Sequence, residues 1–196
     1  MKGPSKASGI GGSLSTHQGR EGRRKVAGRR IDELRPDDPH HMNAAPPIEG
    51  DTAYCVSCHA IYHPKHWHLD EAEYQKLAAD PQVTQLTCPS CKAIAEQNFC
   101  GELHLKLDGL ERFHDQILDT VFNEENRARS TNPHERIGKL VDQGAEIEVD
   151  TLSPFLAHRL GGLLKKTFHG TDVHTDYAPG QKFARIFWGK DELIRK

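Results

Sequence analysis

Two pairs of cysteines constrain this chain more than any other feature. Cys55-Val56-Ser57-Cys58 and Cys88-Pro89-Ser90-Cys91 are separated by 29 residues. Two residues between ligands is the spacing at which a tight turn aims both thiolates at one tetrahedral ion. Pro89 stiffens the second turn. Four sulfur donors close the coordination sphere, so the pattern predicts one structural Zn2+ ion on Cys55, Cys58, Cys88 and Cys91, with no position left to activate water. An iron–sulfur cluster on the same thiolates is the alternative. A thioredoxin-like redox role requires a βαβ context that this segment lacks. Cys100 is left over and is read as a small buried side chain.

Residues 51–100 hold too few large apolar side chains for a core of their own, and a domain that small needs a staple. The reading is a zinc ribbon with a short helix inserted at residues 69–79. Between the Cys pairs, Tyr62-His63-Pro64-Lys65-His66-Trp67-His68 suggests a hairpin whose tip displays Tyr62, Lys65 and Trp67 for stacking on a base and meeting a phosphate. Packing of Trp67 into the ribbon's small core is the competing reading. His66-x-His68-x-Asp70 also matches the opening of a metallo-hydrolase ligand box, but the further ligands of such a site cannot be placed.

From Gly101 onward the pattern is that of an ordinary folded domain, over residues 101–190. Leu103, Leu105 and Leu107 alternate with polar residues, as in a strand with one buried face. Leu110, Phe113, Ile117, Leu118, Val121 and Phe122 then repeat at three and four, predicting a helix over residues 109–127. Asn132-Pro133-His134-Glu135 predicts a second helix start, with Ile137, Leu140 and Val141 on its apolar side and Gly144 as its stop. Ile147 and Val149 mark another strand. Ser153-Pro154 opens a helix that faces Phe155, Leu156, Leu160, Leu163, Leu164 and Phe168 inward, and residues 172–177 and 182–188 form a hairpin around Pro179-Gly180. The expected class is α+β: a four-stranded sheet with helices on one face.

Charge is divided unevenly. Residues 1–30 carry eight of the 26 Lys and Arg residues against Glu21 alone, which leaves 18 basic and 27 acidic side chains for the rest. Almost without apolar side chains, residues 1–30 are predicted to form a disordered basic arm. Arg20, Arg23, Arg24, Lys25, Arg29 and Arg30 are its candidate phosphate contacts. Residues 31–50, with Pro36, Pro39, Pro46 and Pro47, are expected to be an extended linker. Lys165-Lys166, with Arg127, Arg129, Arg136, Arg159 and Arg185, is a possible second basic face. No stretch of 18 apolar residues and no secretory leader is present, which predicts a cytoplasmic protein that does not span a membrane. The phosphate-loop, dinucleotide and serine-hydrolase motifs are absent from the sequence, and His114-Asp115 and His174-x-Asp176 lack a third ordered partner.

The Cys pairs, the run Gly144-Ala145-Glu146-Ile147-Glu148-Val149, the segment Ala157-His158-Arg159-Leu160-Gly161 and the closing Phe183-Ala184-Arg185-Ile186-Phe187-Trp188 together resemble a family of small bacterial zinc-ribbon proteins. More distantly, over residues 50–190, the chain resembles the Nmd-type adaptor family of the large ribosomal subunit. That family carries more Cys-x-x-Cys pairs, enough for two ions. The resemblance implies a non-enzymatic accessory protein that contacts RNA on the ribosome. The alternative is a protein–protein adaptor that binds no nucleic acid.

Overall fold

The computed structural model describes residues 51–64, 66–177 and 183–194, all within one unit, Arg35–Lys196. The basic arm, the linker, Lys65 and the Pro179-Gly180 turn lie outside the described residues. No helix among the described residues is long and apolar enough to cross a membrane.

The first sheet is small and mixed. Strands β1 (Ala53–Cys55), β2 (Ile61–His63), β3 (His66–His68) and β4 (Thr84–Leu86) lie in the order β3-β2-β1-β4. The β1–β2 and β2–β3 pairs are antiparallel, whereas β1 and β4 run parallel with Cys55 opposite Leu86. Helix α1 (Glu71–Ala78) separates β3 from β4, as the sequence predicts for residues 69–79, and α2 (Pro89–Ala95) follows β4. Ala53, Ala60, Tyr62, Trp67 and the cysteines make its small core.

The second sheet has five strands, not four. These are β5 (Gly101–Lys106), β6 (Ile137–Asp142), β7 (Glu146–Thr151), β8 (Asp172–Tyr177) and β9 (Ala184–Gly189), in the order β6-β7-β5-β9-β8. Central β5 pairs antiparallel with β7 and parallel with β9. A 3-10 turn (Glu111–Phe113) leads from β5 into α3 (His114–Thr131), and α4 (Pro154–Thr167) connects β7 to β8. A short α5 (Asp191–Ile194) closes the described chain. Strand alternation places Leu103, Leu105, Ile147, Val149, Ile186 and Trp188 in one core with Ile117 and Val121 of α3 and Leu156, Leu160 and Leu164 of α4. The helices therefore cover one face, as expected. Phe122 and Phe155, both assigned inward from their spacing, are instead exposed.

The extra strand replaces the predicted second helix. Asn132 closes a turn rather than opening a helix: its carbonyl accepts from Glu135 N–H at 3.0 Å and its side-chain oxygen from His134 N–H at 3.1 Å. The chain then enters β6, whose pairing with β7 shifts register between Ile137 and Lys139. The bulge at Gly138 puts Ile137 opposite Thr151 and Leu140 opposite Val149, both core-facing positions. Two inward residues three apart imitate a helical period, because the bulge adds one residue to the strand period of two. Gly144, at φ +80°, belongs to the turn of the β6–β7 hairpin, not to a helix end.

The sheet's other face is polar and tied by ion pairs. Arg185 Nε lies 2.8 Å from Glu102, His104 pairs with Glu102, and Lys106 pairs with Glu146. The His104 ring stacks on Phe187 with centroids 5.0 Å apart. Ser153 caps α4 by accepting from Phe155 N–H at 3.1 Å, with Pro154 in the first turn. Gly161 lets α4 approach the sheet, since a Cβ there would stand 2.9 Å from Ile186 Cγ2. Replacement Gly161→Val is expected to destabilise the chain by about 2 kcal/mol through overpacking, measured as a lowered urea midpoint with an unchanged slope.

Candidate metal centre

The parallel β1–β4 pair is what brings the cysteines together. Cys55 ends β1 and the chain turns at once: His59 N–H donates to the Cys55 carbonyl at 3.0 Å and Cys55 N–H to the Ala60 carbonyl at 2.8 Å. His59 takes the left-handed conformation at φ +62° to complete that turn. On the neighbouring strand Cys88 follows β4 and is the N-cap of α2, with Pro89 opening the helix and Cys91 one turn in. The second pair thus sits on a helix start and not on a second hairpin knuckle, so the module differs from a two-hairpin ribbon.

The four sulfurs converge and could hold a metal ion. Cys55 and Cys91 Sγ are 3.8 Å apart, and Cys58 and Cys88 Sγ are 3.5 Å apart. These separations are far longer than a disulfide bond of about 2.05 Å. Backbone N–H groups already point at the sulfurs, from Cys88 to Cys55 Sγ at 3.3 Å and from Cys91 to Cys88 Sγ at 3.4 Å. Packed this closely, the thiols perturb one another. Hydrogen bonding from Cys58, then from Cys88 and Cys91, holds Cys55 below the usual thiol range. Bonding to Cys55 pushes Cys58 and Cys88 above it. Cys100 is buried outside this group, and burial raises its thiol pKa.

The last turn of α3 and the segment that leads from it into β6 clamp the cysteine module to the five-stranded sheet. Arg136 Nη1 donates to Cys91 Sγ at 3.4 Å, and Arg129 Nη2 to the Cys58 carbonyl at 3.5 Å. His134, buried, hydrogen-bonds Ser90 between the second pair of cysteines and meets the Trp67 ring edge-on at 6.1 Å. Sequence reasoning missed these partners because Asn132-Pro133 drew the region into a helix. The unusual density of polar side chains over residues 132–136 was the available signal.

The candidate nucleic-acid contacts fare differently. Tyr62 and Trp67 are each 5% exposed and pack against each other with ring centroids 5.2 Å apart. They form the module's core and are not displayed at a hairpin tip, because alternation along β2 and β3 turns both inward. Lys65 and the arm's Arg20, Arg23, Arg24, Lys25, Arg29 and Arg30 lie outside the described residues. Members of the candidate second basic face are drawn into other contacts: Arg159 and Arg127 pair with Glu124, Arg185 with Glu102 and Lys165 with Asp172, while Arg129 and Arg136 reach the cysteine module. Asp70 of the hydrolase-like motif is occupied as the N-cap of α1, accepting from Glu73 N–H at 2.9 Å.

Comparison of the chain with protein-family models, curated proteins and solved structures gives no match.

Two measurements test this centre. Cys88→Ser removes one of the four converging thiols while its hydroxyl can still cap α2; the variant is expected to lose metal-binding capacity and the amide-exchange protection of residues 53–86 while the β5–β9 core keeps its own. His134 is held at a pKa of about 4, from an ordinary value of 6.5, chiefly by burial and secondarily by Arg136. The unfolded chain therefore binds the extra proton first, and stability falls as pH drops from 6.5 toward 4. Between pH 7 and pH 5 the wild type is expected to lose about 2 kcal/mol more than His134→Gln does, by linkage, read from paired urea titrations.

Proposed function

We propose that the four thiolates hold one structural Zn2+ ion and that the chain is a non-enzymatic accessory protein contacting RNA, associated with the ribosome. The observation that carries the metal assignment is the sulfur spacing. Four sulfurs arranged tetrahedrally at about 2.3 Å from one ion lie about 3.8 Å from each other, against 3.8 and 3.5 Å here. Sulfurs this close favour a single ion over an iron–sulfur cluster, which needs room for several iron and sulfide ions inside its thiolates. The all-sulfur set leaves no open position, so the ion acts through shape.

The RNA reading rests on the eight Lys and Arg residues against one Glu within residues 1–30, and on the resemblance to the Nmd-type family. With Tyr62 and Trp67 buried, contact falls to that arm, whose cations displace counterions from phosphates. A protein–protein adaptor is the second reading, favoured by the outer face of the five-stranded sheet. There Glu102, Glu146 and Asp150 of β5 and β7 pair with Arg185, Lys106 and Lys139, a face of mixed charge that suits a protein partner of matching pattern.

Pelleting of the full chain with ribosomal particles through a sucrose cushion decides between them. The RNA reading expects co-sedimentation that weakens steeply with salt and disappears when residues 1–30 are removed. Retention of both forms in the supernatant at low salt sinks it in favour of the adaptor.

A further inference from the structure

The β2–β3 hairpin has two faces with different chemistry. Register pairs Ile61 with His68, Tyr62 with Trp67 and His63 with His66. Tyr62 and Trp67 therefore share the face that enters the module's core, while His63, His66 and His68 share the opposite one with Ile61. Helix α1 begins beside that face, its first turn set by the Asp70 cap on Glu73 N–H. Its Tyr74 stacks on His59 with ring centroids 3.8 Å apart and meets Tyr54 edge-on. Anchored in this way, α1 delivers one carboxylate to the histidines. His63 Nε2 lies 2.8 Å from Glu73 Oε1, and His68 Nε2 lies 2.8 Å from Glu73 Oε2. The two imidazoles are stacked nearly parallel, 5.2 Å between centroids and 10° between planes.

We propose that His63, His68 and Glu73 form a second metal site, separate from the four sulfurs, that takes a divalent first-row transition ion such as Zn2+. One donor atom from each lies within 4.8 Å of the other two. Two imidazole nitrogens and a carboxylate are the donor set of open zinc sites, in which a water or a ligand atom fills the remaining position. Around an ion at about 2.0–2.1 Å the donors lie about 3.4 Å apart, a spacing between the 2.8 Å nitrogen–oxygen contacts and the 4.8 Å within which all three donors lie. Thr52 Oγ1 stands 3.4 Å from His63 Nδ1, on the ring's far side, which leaves Nε2 to face the ion. His66 is the neighbouring imidazole, with its ring 5.6 Å from that of His68.

The site also differs from the cysteine centre in access. The side chains of His63, His68 and Glu73 are 34, 29 and 34% exposed, whereas Cys55 and Cys88 are buried. An ion here exchanges with solvent while the sulfur-bound one is retained. The donors come from a two-strand hairpin and the first turn of the next helix, so binding orders little additional chain.

The test is metal loading of the full chain, read by metal-to-protein ratio and by Co2+ absorption. Wild type equilibrated with excess Zn2+ and freed of unbound ion is expected to hold two ions per chain, one of which a mild chelator removes quickly. A His63→Asn/His68→Asn double variant and Glu73→Gln are expected to hold one, with unchanged circular dichroism. With Co2+, thiolate charge-transfer bands report the cysteine site, and d–d bands gained without them report this one. Failure of the cysteine reading alone therefore leaves d–d bands without charge transfer. A wild type that saturates at one ion with full charge-transfer intensity overturns the proposal, as does a folded double variant that still holds two.

Discussion

Four sulfur atoms must meet in a segment with almost no core of its own, and the backbone of the first half is arranged to let them. Each Cys-x-x-Cys pair needs a reversal of the chain, and the two reversals must end side by side. Parallel pairing of β1 with β4 does this with three residues per strand: the two strands finish at one edge, one running into a turn and the other into α2. The 29 residues between the pairs are therefore a crossover. They carry the β2–β3 hairpin and α1 and return the chain to begin β4 in the same direction as β1. Parallel neighbours require such a connection.

The cysteine centre is also bound to the rest of the molecule. Arg129 reaches it from the last turn of α3, and Arg136 and His134 from the turn that feeds β6, and β5 begins a few residues after α2. A guanidinium donating to a thiolate offsets part of the negative charge that four clustered sulfurs carry when ionised. Any change in the charge of the sulfur cluster is therefore felt by Arg136 in the α3–β6 turn.

Much of this was legible before any coordinates. The four cysteines, α1, β5, most of α3, β7, α4 and the β8–β9 hairpin announce themselves through spacing, alternation and caps, each a local signal. The failures share a cause, which is that the deciding partner is distant in sequence. Ile137 and Leu140 imitate a helix because a bulge opposite β7 shifts their phase. Trp67 looks displayable until its pairing with Tyr62 fixes which hairpin face turns inward. Glu73 sits at the third position after an Asp cap, where a carboxylate ordinarily serves the helix start; nothing local reveals that it faces two histidines. Arg159 of α4 and Arg185 of β9 appear as part of a basic patch in sequence but meet Glu124 and Glu102 from other elements.

The parallel pairing of β5 with β9 has a temporal consequence. Glu102 and Arg185, joined across that pair, are 83 residues apart, and β5 is the middle strand of its sheet. During synthesis all four cysteines and the whole first sheet are present once α2 is made, whereas β5 waits with one edge bare until β9 arrives. Closing so large a loop is slow, and an unfilled strand edge is open to pairing with other chains. The cysteine segment is thus made first and the sheet can be completed only near the end, and in the interval the central strand has an open edge.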